Sequence, residues 1–271
     1  MSEAHNMDQG SDEVLYEVSD HIATITLNAP ERMNTISPTM LRSMAEKFVQ
    51  ADEDPDVRVM VLTGNGRAFC AGIDVKAQAD GTGMLKDNRG FKNLDLRNAP
   101  PTTLQAMDTP SICAVNGGAA GYGLDTALGC DIRIMADTAK LAAAFTKRGI
   151  VPESGGTWIL PRLLGWSKAS ELIFTGRTLT ADEAVEWGLA SEVVPGDQLM
   201  GRARALALEI AANAPLAVQS AKRMMRMGLN EPFGEHVNHV YLQLLPLLRT
   251  EDVKEGMAAF VEKRDPDFKG R

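Results

Sequence analysis

Histidine, cysteine and tyrosine are scarce in this 271-residue chain, and each scarcity excludes a kind of chemistry. The four histidines (His5, His21, His236, His239) form no HExxH pair, so a zinc hydrolase is not expected. The three cysteines (Cys70, Cys113, Cys130) form no CxxC and have no metal-ligand spacing, so no bound metal is expected. Their odd number, with two in strand-like runs, reads as buried free thiols in a reducing, cytoplasmic compartment. No apolar run approaches the ~18 residues that read as a membrane span, so no membrane partner is expected. The formal charge of −8 argues against nucleic acid as a partner. It leaves room for an anionic ligand, because local basic side chains set the local field. Residues 1–12 are polar and acidic with no apolar stretch, which reads as a disordered tail and not as a targeting signal.

Glycine, by contrast, is well supplied, and two turns stand out. Arg67-Ala68-Phe69-Cys70-Ala71-Gly72-Ile73-Asp74 follows an apolar run at 57–63. Asn116-Gly117-Gly118-Ala119-Ala120-Gly121-Tyr122-Gly123-Leu124-Asp125 follows another at 112–115. Glycine lets the backbone approach a ligand and turn its N–H groups inward. Two such turns can each offer one N–H to the same oxygen, which is the arrangement of an oxyanion hole.

Around these turns the chain reads as α/β. Alternation at 14–18 and 22–27 predicts a hairpin about Ser19-Asp20. Ser37-Pro38 predicts a helix start, with Met40, Leu41, Met44 and Phe48 at helical spacing. Strands are expected at 57–63, 111–115 and 132–136, and a helix at 121–128. Residues 80–108, with Gly81, Gly83, Gly90 and Pro100-Pro101, read as a mobile, partly helical segment. Beyond Pro195-Gly196 only helical spacing remains, at 200–213, 215–227, 233–248 and 252–263. The expected organisation is stacked ββα units over 13–196 and a helical region over 197–271.

The two turns do not stand alone. Pro161-Arg162, Thr175-Gly176-Arg177, Trp187-Gly188-Leu189 and the ending Glu255-Gly256-Met257-Ala258-Ala259-Phe260-Val261-Glu262-Lys263-Arg264 accompany them. With these the chain resembles the enoyl-CoA hydratase/isomerase (crotonase) superfamily. The resemblance implies a crotonase spiral of ββα repeats with a C-terminal helical region that makes homotrimer contacts, alone or in a hexamer built as a dimer of trimers. It implies an acyl-CoA thioester as substrate, with CoA arriving as part of it and no separate cofactor. The N–H groups of Ile73 and Tyr122 would hold the thioester carbonyl. Arg32, Ala71, Asp74 and Lys76 would meet CoA, as would Phe260 and Lys263 from a neighbouring subunit.

Three family carboxylate positions match Asp125, Phe145 and Glu153. The two-glutamate hydratase pair is therefore broken at Phe145, which cannot move a proton. Several Δ3-Δ2-enoyl-CoA isomerases place their single acid where Glu153 stands, and isomerases of bacterial phenylacetate breakdown place an aspartate there. The resemblance thus implies an isomerase with Glu153 as acid and base. From spacing alone, Glu153 at a helix start could simply favour the helix dipole, and Asp125 could be a second acid or only a hydrogen-bonding partner. A hydratase using Asp125 and Glu153, or a non-catalytic acyl-CoA binder, stays open. The glycines Gly117, Gly121 and Gly123 also resemble the pattern of short-chain dehydrogenases, but they lie mid-chain. No Tyr-xxx-Lys joins them, because Tyr16, Tyr122 and Tyr241 are followed four residues later by Asp20, Thr126 and Leu245.

Overall fold

The computed structural model describes residues 13–75, 79–81 and 99–271. Lys76 and most of the segment expected to be mobile lie outside the described residues. Within that segment a helix, α2 (Pro100–Ala106), is present.

Strands β1 (Val14–Ser19) and β2 (Ile22–Leu27) form the expected hairpin, with Ser19 opposite Ile22. Its turn pair is Asp20-His21 and not Ser19-Asp20. Both residues take positive φ, 50° and 63°, the conformation whose twist matches that of the flanking strands. Helix α1 (Pro38–Glu53) starts as predicted. Ser37 Oγ accepts from the Met40 N–H at 2.9 Å, and Met40, Met44 and Phe48 are fully buried.

From β3 onward the chain repeats one manoeuvre. A strand enters a large sheet, and after a short turn a second strand enters a smaller one. The pairs are β3 (Val59–Gly64) with β4 (Ala68–Cys70), β5 (Ser111–Val115) with β6 (Gly118–Ala120), and β7 (Ile132–Ala136) with β8 (Lys140–Ala142). After β6 comes α3 (Tyr122–Gly129), and after β8 comes α4 (Gly156–Thr175), interrupted at Gly165. Next are β9 (Thr178–Thr180), α5 (Ala181–Trp187) and β10 (Glu192–Val194). The six-stranded sheet has the order β1-β2-β3-β5-β7-β10, parallel from β2 onward. The four-stranded sheet has the order β4-β6-β8-β9. This is the spiral of ββα repeats. Because β4 and β6 are parallel neighbours, the turns that follow them emerge side by side at one edge.

Helix α6 (Leu199–Ala211) packs on the large sheet through Leu199, Ala203, Ala207 and Ala211. Alanine at every fourth position lets helix and sheet backbones approach closely. Helices α7 (Pro215–Gly228), α8 (Phe233–Leu247) and α9 (Glu251–Glu262) complete the chain. They leave Phe233, Tyr241, Leu242, Phe260 and Val261 exposed. All three cysteines are free and buried. Among the described residues no helix is long and apolar enough to cross a membrane.

Candidate active site

The two glycine turns interlock. A Cβ on Gly72 would stand 2.5 Å from the Ala120 carbonyl oxygen and 3.4 Å from the Tyr122 nitrogen. A Cβ on Gly123 would stand 2.1 Å from the Cys70 carbonyl oxygen. Only hydrogen at these positions permits the approach. Gly72 and Gly121 also take positive φ, 81° and 54°. The N–H of Ile73 and the N–H of Tyr122 have no acceptor among the described residues. Tyr122 opens α3, so its N–H is one of the orphan donors of a helix N-terminus, where the helix dipole adds positive potential. Two adjacent, unspent N–H groups suit one anionic oxygen.

Side chains brace the turns from behind. Asn116 Oδ1 accepts from Gly64 N at 3.1 Å, and its Nδ2 donates to the Gly66 carbonyl at 3.0 Å. Asn34 is fully buried and lies behind β4. Sequence reasoning missed Asn34. Its only signal was the tolerance of asparagine for left-handed backbone, which it adopts at φ 52°.

The carboxylates come from two elements. Asp125, on the first turn of α3, is fully buried. Its Oδ2 accepts from the Ser154 N–H at 3.1 Å. Among the described residues its Oδ1 accepts no hydrogen bond, and a Cβ on Gly156 would lie 2.4 Å from it. Burial pushes the Asp125 carboxyl up to about 7, opposed by the Ser154 N–H and reinforced by the charge of Glu153. Glu153 itself stands in the turn before α4, which begins at Gly156. The expected helix start at Glu153 therefore falls three residues later, where glycine can pack against Asp125. Glu153 is open to solvent on one side, and burial of the other raises its carboxyl above the ordinary range. The Tyr122 phenol is raised by burial first and by the Glu153 charge next, so these three residues share one neighbourhood. Phe145 is buried, with its ring 3.9 Å from where a Cβ on Gly121 would stand, and walls the site with apolar surface.

The remaining candidates divide. Ala71 and Asp74 flank the first turn and are partly exposed, with Ala71 N–H donating to the Met33 carbonyl at 3.0 Å. Arg32 is engaged by the Glu13 carboxylate at 2.5 Å and the Thr35 carbonyl at 2.5 Å. Phe260 and Lys263 are exposed at the end of α9. No side-chain hydrogen bond, ion pair or ring contact among the described residues ties either to the turns. The structure thus brings together Ile73, Tyr122, Asp125 and Glu153, with Ala71 and Asp74 beside them, and leaves Phe260 and Lys263 apart within one chain.

The raised Asp125 carboxyl has a consequence for stability. A carboxyl whose pKa is higher folded than unfolded favours the folded state when protonated. Its stabilisation is fully present below the ordinary aspartate value and is lost as pH rises from about 4 through about 7. The change is on the order of 4 kcal/mol. Urea unfolding of wild type and Asp125→Asn at several pH values between 4 and 8 should show a shallower decline for the variant. Parallel declines would remove Asp125 as the source.

The family model for enoyl-CoA hydratase/isomerase matches residues 17–271. The chain belongs to the enoyl-CoA hydratase/isomerase family. It is 39% identical over 264 residues to the putative enoyl-CoA hydratase/isomerase YngF of Bacillus subtilis, covering 96% of this chain and 99% of that protein. It is 37% identical to the 1,2-epoxyphenylacetyl-CoA isomerase of Escherichia coli, covering 95% and 98%. Among solved structures, the enoyl-CoA hydratase of Bacillus anthracis superposes with a TM-score of 0.86 at 36% identity, covering 96% of this chain and all of that one. This family membership carries the crotonase fold and an acyl-CoA thioester as the class of substrate. The relatives' names span hydratase and isomerase, so the choice of reaction rests on this chain's own carboxylates.

Proposed function

We propose that this family member is a Δ3-Δ2-enoyl-CoA isomerase in which Glu153 shuttles one proton while the Ile73 and Tyr122 N–H groups hold the thioester enolate. The observation that carries the reading is the pairing of Phe145 with Asp125. An apolar ring stands at one family acid position, and the carboxylate at another is shut inside the protein. Glu153 is left as the carboxylate that can meet a substrate.

The chemistry follows from that arrangement. The Glu153 carboxylate takes a proton from the α-carbon of a 3-enoyl thioester. The electron pair moves into the carbonyl, giving a dienolate whose oxygen accepts from both N–H groups. The same carboxylic acid returns the proton to the γ-carbon, and the double bond ends conjugated with the thioester. A base poised toward neutrality serves both halves of this exchange, and Glu153 is raised in that direction. Ala71, Asp74 and Lys76 would line the CoA path in the same chain. Arg32 would join them by leaving Glu13, and Phe260 and Lys263 would come from a neighbouring subunit of a homotrimer or hexamer. Such an assembly would cover the apolar side chains that α8 and α9 expose. CoA enters as part of the substrate, with no separate cofactor in the scheme.

A hydratase using Asp125 and Glu153 is the second reading. The Asp125 carboxyl, poised at about 7 and sensitive to the Glu153 charge, speaks for it. Incubating 3-hexenoyl-CoA and crotonyl-CoA separately with the enzyme, and identifying the products by mass and ultraviolet absorbance, distinguishes the two. The isomerase reading expects conjugation of the first and slow change in the second. Rapid gain of one water by crotonyl-CoA, with no double-bond shift in 3-hexenoyl-CoA, would establish the hydratase. Binding of both without turnover would mark a non-catalytic acyl-CoA binder.

A further inference from the structure

We infer that Asn34 is a positioning residue for the oxyanion hole, its amide fixing the strand that delivers the Ile73 N–H. The inference rests on the reading that Ile73 and Tyr122 hold the thioester oxygen, and it applies equally to isomerase and hydratase chemistry.

The Asn34 side chain spends its hydrogen-bonding capacity on backbone. Oδ1 accepts from Ala29 N at 2.7 Å. Nδ2 lies 3.0 Å from the Asn65 carbonyl, 2.9 Å from that of Ala68 and 3.0 Å from that of Phe69. The last two belong to β4, five and four residues before Ile73. Asn34 is wholly enclosed, so bulk water does not compete for these bonds in the folded protein. On either side the same segment grips the turn itself. The Met33 carbonyl accepts from Ala71 N at 3.0 Å, and Ile36 N donates to the Gly72 carbonyl at 2.9 Å. Residues 33–36 thus run as a splint along 71–72, with the Asn34 amide as its anchor in β4. Met33 and Asn34 both take left-handed backbone, φ 58° and 52°. Two consecutive non-glycine residues in that region persist only where the surroundings over-determine them. The second donor needs no such splint, because helix α3 carries Tyr122.

A slack β4 would let the Ile73 N–H drift while the rest of the site stayed in place. Misplacement of this kind weakens the transition state more than substrate binding. Asn34→Gly removes all of these side-chain contacts and suits the positive φ. It should lower kcat by about 10- to 100-fold and leave KM within about threefold. Acetoacetyl-CoA gives a direct readout, because its enolate has its own ultraviolet band. The wild-type protein should raise that band on binding, and Asn34→Gly should diminish it while butyryl-CoA affinity stays within about threefold.

Absence of the band with wild type would sink the oxyanion-hole reading and this inference together. A band undiminished in a folded Asn34→Gly protein would sink the inference alone, as would a parallel loss of butyryl-CoA affinity. Should Asn34→Gly fail to fold, Asn34→Ser takes its place in the same measurements. Failure of both to fold would overturn the assignment, making Asn34 a determinant of the fold and not of the site.

Discussion

Glu153→Gln is expected to slow isomerisation of a 3-enoyl-CoA by about 10²–10⁴-fold, the usual weight of a positioned acid–base group. Affinity for a saturated acyl-CoA should be unchanged, since the amide keeps the shape of the carboxyl and loses only its ability to take and return a proton. For wild type, kcat/KM should climb as pH rises through the elevated Glu153 value, because the base must be ionised to start the reaction. Asp125→Asn should cost less. Asp125 is enclosed behind the Glu153 turn and holds it through the Ser154 N–H, so the variant perturbs the base without removing it. Steady-state rates, with butyryl-CoA binding measured separately, test both claims. Near-wild-type turnover of Glu153→Gln would take Glu153 out of the mechanism. Equal and severe losses at both positions would favour the two-carboxylate hydratase.

Much of the candidate site is legible in the amino-acid sequence, for reasons that differ from residue to residue. The glycine turns could be read because close backbone approach demands glycine, and the clash distances at Gly72 and Gly123 bear that demand out. The helix start at Ser37-Pro38 could be read because capping is local chemistry. Burial was the illegible part. Nothing in the pattern around Asp125 says that it lies fully inside while Glu153 opens to solvent, since that depends on how α3 meets the turn before α4. Asn34 was equally hidden, because its partners at Asn65, Ala68 and Phe69 lie more than thirty positions away. The hairpin turn slipped by one residue for a similar reason. Asp20 and His21 both accept left-handed backbone, and sequence alone did not say which pair the strand register would choose.

Gly72→Ala should be a severely damaging single-methyl change at the site. Two penalties combine there. The positive φ of 81° is strained for alanine, by roughly 1–2 kcal/mol. The new methyl would also press on the Ala120 carbonyl oxygen from 2.5 Å. That neighbour is backbone and cannot rotate away, so the two turns must part. Parting them separates the Ile73 and Tyr122 N–H groups, and losing one well-aimed oxyanion donor costs about 10²–10³ in kcat. Gly188→Ala isolates the backbone penalty. Its φ is 85°, and a methyl there would meet nothing within 4 Å. That variant should lose stability by about 1 kcal/mol with turnover intact. Thermal unfolding and kcat measured on both proteins separate strain from geometry. If the two variants lose stability alike and Gly72→Ala keeps its kcat, the interlocked turns do not form the oxyanion hole.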